Sequence, residues 1–216
     1  MKRFLLVQLK SKFFNIQRFA SDAIDVLDVG VANRSAFEMK QVLPACRYHG
    51  LDRDAAFDAQ ERALMQRFTL MDLETDPLAS AERAAYDLVI INHVLEHVDN
   101  GIEVVGNAVA CLRPGGTLYL EVPNVRSLQR AASRYSYHFH DDPTHKRLYS
   151  HEELCNAVMD AGGKVVECGA AGTPLKTLLS LPRALLALLT GRQLGHLFVH
   201  SRGAITYLVA RRPASA

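Results

Sequence analysis

The sequence predicts an α/β protein with a mostly parallel sheet and helices on both faces. Seven short apolar runs are spaced along the chain, and helical patterns lie between most of them. Parallel strands need crossover connections, and helices in those connections cover both faces of the sheet. The 216 residues, 49% hydrophobic and 22% charged, are enough for one domain over 1–216 with a full core.

The chain begins with a basic segment that has no acidic residue before Asp22. Its apolar side chains fall on one helical face, which predicts a basic amphipathic helix over 1–22. These side chains are Leu6, Leu9, Phe13 and Ile16. The helix either docks on the domain with its basic face in water or contacts a membrane surface or acidic partner through 1–19.

The apolar runs give the strands in order. They are 24–29, 46–51, 67–73, 86–92, 116–122, 164–169 and 204–210. The clearest helical patterns are Val94–Leu112 and His151–Ala161, and "LRPGG" (112–116) predicts a stop and a turn before the fifth strand.

The stretch 174–199 is long for a link between the last two strands and is rich in leucine. We predict an apolar helical insertion there. It could cover the sheet, form a dimer contact, act as a lid, or offer an apolar surface to a membrane or a lipid-linked acceptor.

Composition excludes several classes of protein. A net charge of +2 gives no argument for a nucleic-acid partner. The four cysteines form no C-x-x-C pair, which argues against a disulfide framework or a zinc site and favours reduced thiols in the cytoplasm. No apolar run reaches the roughly 18 residues of a membrane span. We expect a cytoplasmic protein, with peripheral membrane contact as the alternative.

Acidic side chains follow two neighbouring strands. In parallel sheets of this kind, ligands bind at the carboxyl ends of the strands, near the point where the strand order reverses. Asp52, after the second strand, could accept hydrogen bonds from the hydroxyls of an adenosine ribose, or begin a helix. Asp72, after the third, could accept from an adenine amino group, or cap a turn.

The stretch "DVLDVGVANRSAF" (25–37) follows the pattern of a nucleotide-binding turn only in part. An apolar strand leads to Gly30, which can make the tight turn. Where further glycines might follow, the chain has Ala32, Asn33 and Arg34. A pyrophosphate needs close backbone approach and several free N–H groups. The loop therefore predicts a cofactor without phosphates rather than a dinucleotide.

Two motifs in register carry a family resemblance. "YDLVIINHVLEHVDN" (86–100) and "CLRPGGTLYLEVPN" (111–124) are similar to segments of the class I S-adenosylmethionine-dependent methyltransferases, in the group with an "LEH" element after the fourth strand. "LDVGVA" (27–32) resembles the family's first motif, and "YHGLD" (48–52) resembles its ribose-binding motif. "DDPTHKRLYSHEEL" (141–154) resembles a segment before the last crossover helix.

The resemblance implies a Rossmann-like seven-stranded sheet with the last strand antiparallel, and S-adenosyl-L-methionine as cofactor. It also implies a set of cofactor contacts at the strand ends: Asp28, Gly30, Val31, Ala32, Asp52, Asp72, Asn92 and His93. The first four would contact the methionine end, Asp52 the ribose, and the last three the adenine.

The segment "YSYHFHDDPTHKR" (135–147) is the most polar constellation, and we interpret it as a loop facing the acceptor. His145 is the first candidate for an acceptor-positioning group or base and His140 the second, because an imidazole titrates near neutral pH. The loop's histidines and aspartates could instead ligate a metal, but no helical i, i+4 histidine pair is present, so no metal site is assigned. For Glu96 and His97 we favour a scaffold role at a helix start.

The predicted function is methyl transfer from S-adenosyl-L-methionine to a small molecule, a glycan or a lipid-linked acceptor. The alternative is a catalytically degenerate protein of the same fold that acts as a scaffold or binding partner, which Ala32 and Arg34 would favour. A nucleotide-dependent dehydrogenase is the third hypothesis, disfavoured by the missing glycines.

Overall fold

The computed structural model describes residues 2–19, 23–32, 34–128, 138–173 and 203–214, with 175, 178, 179, 182, 189 and 190. Seven strands form one sheet within these residues. They are β1 (Asp25–Val29), β2 (Arg47–Asp52), β3 (Arg67–Leu70), β4 (Tyr86–Asn92), β5 (Leu112–Pro123), β6 (Lys164–Ala170) and β7 (Ile205–Arg211). Each overlaps one of the seven apolar runs, so the predicted strands are confirmed.

The strand order is β3-β2-β1-β4-β5-β7-β6. The first five strands pair in parallel, and β7 is antiparallel to both β5 and β6. The expected antiparallel last strand is therefore confirmed. The order reverses between β1 and β4, and connections that leave these two strands in opposite directions open a crevice at their carboxyl ends.

Six α-helices lie among the described residues: α1 (Lys2–Leu9), α2 (Ser11–Ile16), α3 (Ser35–Val42), α4 (Ala59–Ala63), α5 (Gly101–Cys111) and α6 (His151–Asp160). Side chains of α2 and α3 share a core with Val26 of β1. Side chains of α5 and α6 share the opposite core with Leu27 and Val29. Alternate residues of β1 thus face opposite cores, as expected for a strand covered on both faces.

The N-terminal segment is two helices, which corrects the single helix predicted over 1–22. The chain is extended at Lys10, with φ −115° and ψ 118°, between α1 and α2. The break allows α2 to bury Phe13 and Ile16 completely, while Phe4 on α1 stays 63% exposed. Lys12 is also buried rather than in water, because its Nζ lies 3.7 Å from Asp28 Oδ2.

Two further predictions were correct in place but not in detail. The helical pattern Val94–Leu112 is a 3-10 turn at Leu95–His97 followed by α5. The "LRPGG" turn lies inside the irregular start of β5, where Gly115 has φ 82°. A side chain at Gly116 would come within 3.0 Å of the Tyr86 carbonyl oxygen, so only glycine fits this close approach.

The predicted apolar insertion at 174–199 lies outside the described residues, except for six isolated positions. Within the part of the chain that is described, no helix is long and apolar enough to cross a membrane.

Candidate active site

A cavity of about 490 Å³ opens at the carboxyl ends of β1, β2, β3 and β4. This volume falls in the range of small-molecule sites. Six of the residues predicted from the sequence lie in its wall: Gly30, Ala32, Asp52, Asp72, Asn92 and His93. The topology explains their meeting, because each comes at or just after the end of a parallel strand.

Gly30 forms the turn after β1. Its φ is 77°, and a Cβ there would lie 2.1 Å from Val94 Cγ2. Its backbone N–H donates to the Leu51 carbonyl, with an N···O distance of 2.8 Å, which fixes the turn against β2. A glycine is therefore required both by the left-handed backbone and by the close approach.

Three carboxylates lie in the cavity wall: Asp52 and Asp72, which the sequence predicted, and Glu74, which forms an ion pair with Lys146. Asp52 is half-buried at the end of β2, and its Oδ1 accepts from the backbone N–H of Asp54 at 3.0 Å. Burial raises the pKa of the Asp52 carboxyl, against the lowering effect of backbone N–H groups at 53 and 54. Asp72 is exposed and caps the turn after β3 through the backbone N–H of Glu74. Asp52 and Asp72 can each accept further hydrogen bonds from a ligand, since a carboxylate offers about four lone-pair sites.

Asn92 and His93 follow β4. Among the described residues, no group donates a hydrogen bond to Asn92 Oδ1, although this oxygen is buried. His93 has φ 57°, an uncommon value outside glycine, and its Nδ1 lies 3.1 Å from Glu96 Oε1. Burial alone would lower the pKa of His93, but the hydrogen bond and charge of Glu96, with the charge of Glu121, leave it raised. Strained residues and unmatched polar atoms concentrate at functional sites.

Two predicted cofactor contacts do not lie in the cavity wall. Asp28 is 2% exposed and accepts a hydrogen bond from Tyr48 Oη at 2.7 Å, with Lys12 on its other side. Val31 packs into the core between α3 and the sheet. Side chains alternate along β1, so the Asp28 side chain lies on the sheet face covered by α2 and does not point towards the carboxyl end of the strand. Asp28 therefore contacts buried residues next to the site and not the cavity itself.

The two histidines predicted to face the acceptor also lie elsewhere. His145 has a side chain 3% exposed, and its Nδ1 lies 2.6 Å from the Phe139 carbonyl oxygen. His140 is exposed on the 3-10 helix Phe139–Asp141 and is not in the cavity wall. The loop folds back on its own aromatic residue, Phe139, and this turns His145 inward.

Instead, His97 and Thr144 bring the loop to the cavity. Thr144 Oγ1 lies 2.9 Å from His97 Nδ1 and 2.6 Å from Asp142 Oδ1, and both Thr144 and His97 are in the wall. The sequence assigned His97 to the scaffold because it follows a strand at a predicted helix start. Its place on a 3-10 turn facing the crevice is the feature that the periodicity did not show.

The remaining wall is largely apolar. Its apolar side chains are Leu51, Met71, Leu73, Val94 and Val98. Among the described residues, Arg53 is the one Lys or Arg side chain in the wall. Apolar walls with a few polar groups are typical of sites for small organic ligands. One glycine and one basic side chain in the described part of the wall do not make a cradle for a pyrophosphate, so the cavity suits an adenosine cofactor without phosphates.

Comparison with known proteins agrees with this geometry. A family model described as a methyltransferase domain matches residues 5–168. A search of curated proteins gives no match to the chain.

Solved structures share the fold at low sequence identity. A methyltransferase from Archaeoglobus fulgidus, described as SAM-dependent, has a TM-score of 0.62 and 17% identity, over 97% of this chain and 94% of that one. The Haloferax volcanii complex of the Trm112 methyltransferase activator with a methyltransferase matches with a TM-score of 0.65 and 18% identity. The match covers 88% of this chain and 83% of that one. A geranyl diphosphate methyltransferase in complex with SAM matches with a TM-score of 0.60 and 19% identity. The match covers 97% of this chain and 83% of that one.

These likenesses show the fold, and the family model covers well over half of the sequence. The seven-stranded sheet with β7 inserted antiparallel and the crevice at β1 and β4 agree with both. The chain belongs to the class I S-adenosylmethionine-dependent methyltransferases.

Proposed function

We propose that the cavity binds S-adenosyl-L-methionine through the wall residues described above and that the chain transfers its methyl group to a small-molecule or lipid-linked acceptor. The observation that carries the proposal is Asp52. Its half-buried carboxylate stands in the wall at the end of β2, next to the strand that carries Gly30. In sheets of this order, an acid at that place accepts hydrogen bonds from both ribose hydroxyls.

The other wall residues take the roles expected from their strand ends. Gly30 and Ala32 would lie along the methionine end, where the turn after β1 brings the backbone close to the ligand. Asp72 and Asn92 would receive the adenine amino group, which would also give Asn92 Oδ1 its missing donor. His93 lies beside them and would contact the cofactor from β4.

The acceptor would enter beside His97 and Thr144, which join the turn after β4 to the loop before α6 in the cavity wall. Methyl transfer from a sulfonium is an in-line displacement and depends chiefly on alignment. The largely apolar wall supports an organic acceptor, and one structural neighbour is named a geranyl diphosphate methyltransferase. A glycan remains the other acceptor class named from the sequence.

The competing function is that of a catalytically degenerate scaffold. It is favoured by Ala32 and Arg34, which stand where a nucleotide-binding turn could carry glycines. Ala32 is exposed, and its methyl group does not close the cavity. The intact cavity therefore supports cofactor binding, and the competing function becomes an outcome of the binding experiment.

The experiment is calorimetric titration of S-adenosyl-L-methionine into the protein and into Asp52→Ala. We expect the substitution to weaken binding by about 1.5–3 kcal/mol, the scale for losing charge-assisted hydrogen bonds. Asp54→Ala is the matched control, because Asp54 is an exposed acid two residues away outside the cavity wall. It should bind like the wild type.

Equal affinities in Asp52→Ala and the wild type would show that the ribose assignment is wrong. No binding to the wild type at millimolar cofactor would instead support the scaffold function. NAD titrated in parallel separates a general adenosine site from one that excludes a pyrophosphate.

A further inference from the structure

His93 lies between the two parts of the site. It is in the cavity wall, and the next residue, Val94, packs against Gly30 in the turn proposed for the methionine end of the cofactor. Further along the same turn after β4, His97 meets Thr144 beside the space proposed for the acceptor. His93 is therefore close to the place where a methyl group would pass from the cofactor to the acceptor.

A buried carboxylate holds the ring of His93. The Glu96 side chain is 1% exposed, and its Oε1 lies 3.1 Å from His93 Nδ1. A carboxylate only accepts hydrogen bonds, so His93 Nδ1 carries the hydrogen, and the lone pair of the neutral ring is on Nε2. A carboxylate on one nitrogen is a common way in which enzymes orient an imidazole that acts as a base through the other.

The second nitrogen of the ring is accessible. His93 Nε2 makes no hydrogen bond among the described residues. It is also not one of the buried polar atoms without a partner, which in the described part of the chain are Asn92 Oδ1, Glu96 Oε2 and Asn100 Oδ1. The His93 side chain is 35% exposed. Because Nδ1 is directed at a buried group, Nε2 is the nitrogen that a ligand in the cavity can reach.

Charged groups on three other parts of the fold act on His93. Burial of the ring lowers its pKa, but the hydrogen bond and charge of Glu96 and the charge of Glu121 on β5 leave it raised. Lys12 on α2 acts in the lowering direction, and it is itself paired with Asp28 on β1. The ring can therefore carry a proton near neutral pH until a positive charge binds beside it.

We propose that His93 is the general base of methyl transfer, and that it becomes neutral when the positive sulfonium of the cofactor binds next to it. This role rests on the proposed function. Like charges a few ångströms apart disfavour each other, so His93 releases its proton to solvent on binding. His93 Nε2 then takes the proton of an acceptor hydroxyl, whose oxygen forms a bond to the methyl carbon. The carbon–sulfur bond breaks with its electron pair on sulfur, and the imidazolium later gives its proton to water.

The test is the number of protons released when S-adenosyl-L-methionine binds, compared with its demethylated product, whose sulfur is neutral. Calorimetric titrations in phosphate and in bis-tris, buffers with different ionisation enthalpies, give this number between about pH 6 and pH 7.5. A pKa decrease of about one unit from a nearby like charge releases about half a proton at the midpoint. We therefore expect the cofactor to release about half a proton more than the product at the optimal pH.

Variants identify the group that releases the proton. His93→Asn should abolish the extra release, and asparagine tolerates the left-handed backbone at this position, where φ is 57°. The amino group of the ligand also titrates near this range, and its contribution remains in the variant. Glu96→Gln should move the maximum of the release to lower pH, because the carboxylate charge is lost. His140→Asn is the matched control, since this exposed histidine lies outside the cavity wall. It should release protons as the wild type does.

Equal proton release with the cofactor and with the product in the wild type would overturn the inference. Extra release that persists in His93→Asn and disappears in His97→Gln would also overturn it, because the proton would then come from the other histidine in the described wall. If neither ligand binds, the proposed function fails together with the inference. Binding without extra release overturns only the role of His93, so the two failures are distinguishable.

Discussion

Arg34 has a φ of 72°, in the left-handed region that glycine adopts readily. It follows Gly30 at a place where a nucleotide-binding turn could carry a further glycine. Its guanidinium lies 5.0 Å from the ring centroid of Phe37, and the residue is not in the cavity wall. Arg34 thus has the backbone conformation of a glycine and keeps its side chain outside the cavity, so an arginine at this position is compatible with an open cavity.

Arg34→Gly should therefore leave cofactor affinity unchanged and should not destabilise the protein. Removing the left-handed strain gains about 1–2 kcal/mol, and the greater freedom of glycine in the unfolded chain offsets about half to all of that gain. Urea unfolding measures the result. Gln41→Gly in α3 is the control and should lose about 1 kcal/mol, because its backbone is helical. A comparable loss in Arg34→Gly would mean that the Phe37 contact outweighs the strain.

At the scale of elements, the strands were predictable and the N-terminal helices were not. Strands buried on both faces appear as continuous apolar runs, which the sequence shows directly. The burial of Lys12 depends on Asp28, and Lys10 at the break pairs with Glu38, so both lysines have partners on other elements. No local pattern contains these contacts.

The same distinction applies to the site. Asp52 and Asn92 were predictable, since topology brings strand ends together. His97 and His145 meet through a loop that returns to the turn after β4, fixed by the Lys146 N–H to Glu96 carbonyl bond. This pairing depends on the path of a loop, and hydrophobic periodicity carries no information about it.

The ion pair of α2 with β1 gives a prediction at this scale. Lys12→Met should destabilise the protein by about 3 kcal/mol, because it leaves the buried Asp28 carboxylate without its cation. Lys10→Met is the control: its partner is Glu38, its side chain is 48% exposed, and the expected loss is at most about 1 kcal/mol.

Chemical denaturation of both variants measures the difference. Adding Asp28→Asn to Lys12→Met should restore part of the loss, since it removes the unpaired charge. If the two lysine variants lose the same small amount, α2 is held by its apolar side chains alone.

For the whole molecule, His49 links stability to pH. Its ring lies between Tyr86 Oη and Thr69 Oγ1, and burial, with the charge of Arg67, lowers its pKa from 6.5 to about 4. Between these two values the unfolded chain binds a proton that the folded chain does not. The contribution is fully present above about pH 6.5 and is lost as the pH falls towards 4, by about 3 kcal/mol in total.

His49→Gln should flatten this dependence, because glutamine can still hydrogen-bond but does not titrate. Urea unfolding of the wild type and the variant between about pH 7 and pH 4 checks it. His140→Gln, on an exposed loop, should retain the slope of the wild type. Parallel curves for the wild type and His49→Gln would show that other groups govern acid stability.

The position of β7 between β5 and β6 has a consequence for synthesis on the ribosome. Translation adds about 5–20 residues per second, so a few seconds separate the completion of β6 from that of β7. During that interval β6 has no partner among the described strands, and β5 presents an open edge. An unpaired edge is a template for strands of other chains. The nascent protein is therefore most vulnerable to aggregation just before its sheet closes, and a chaperone would protect it most in those seconds.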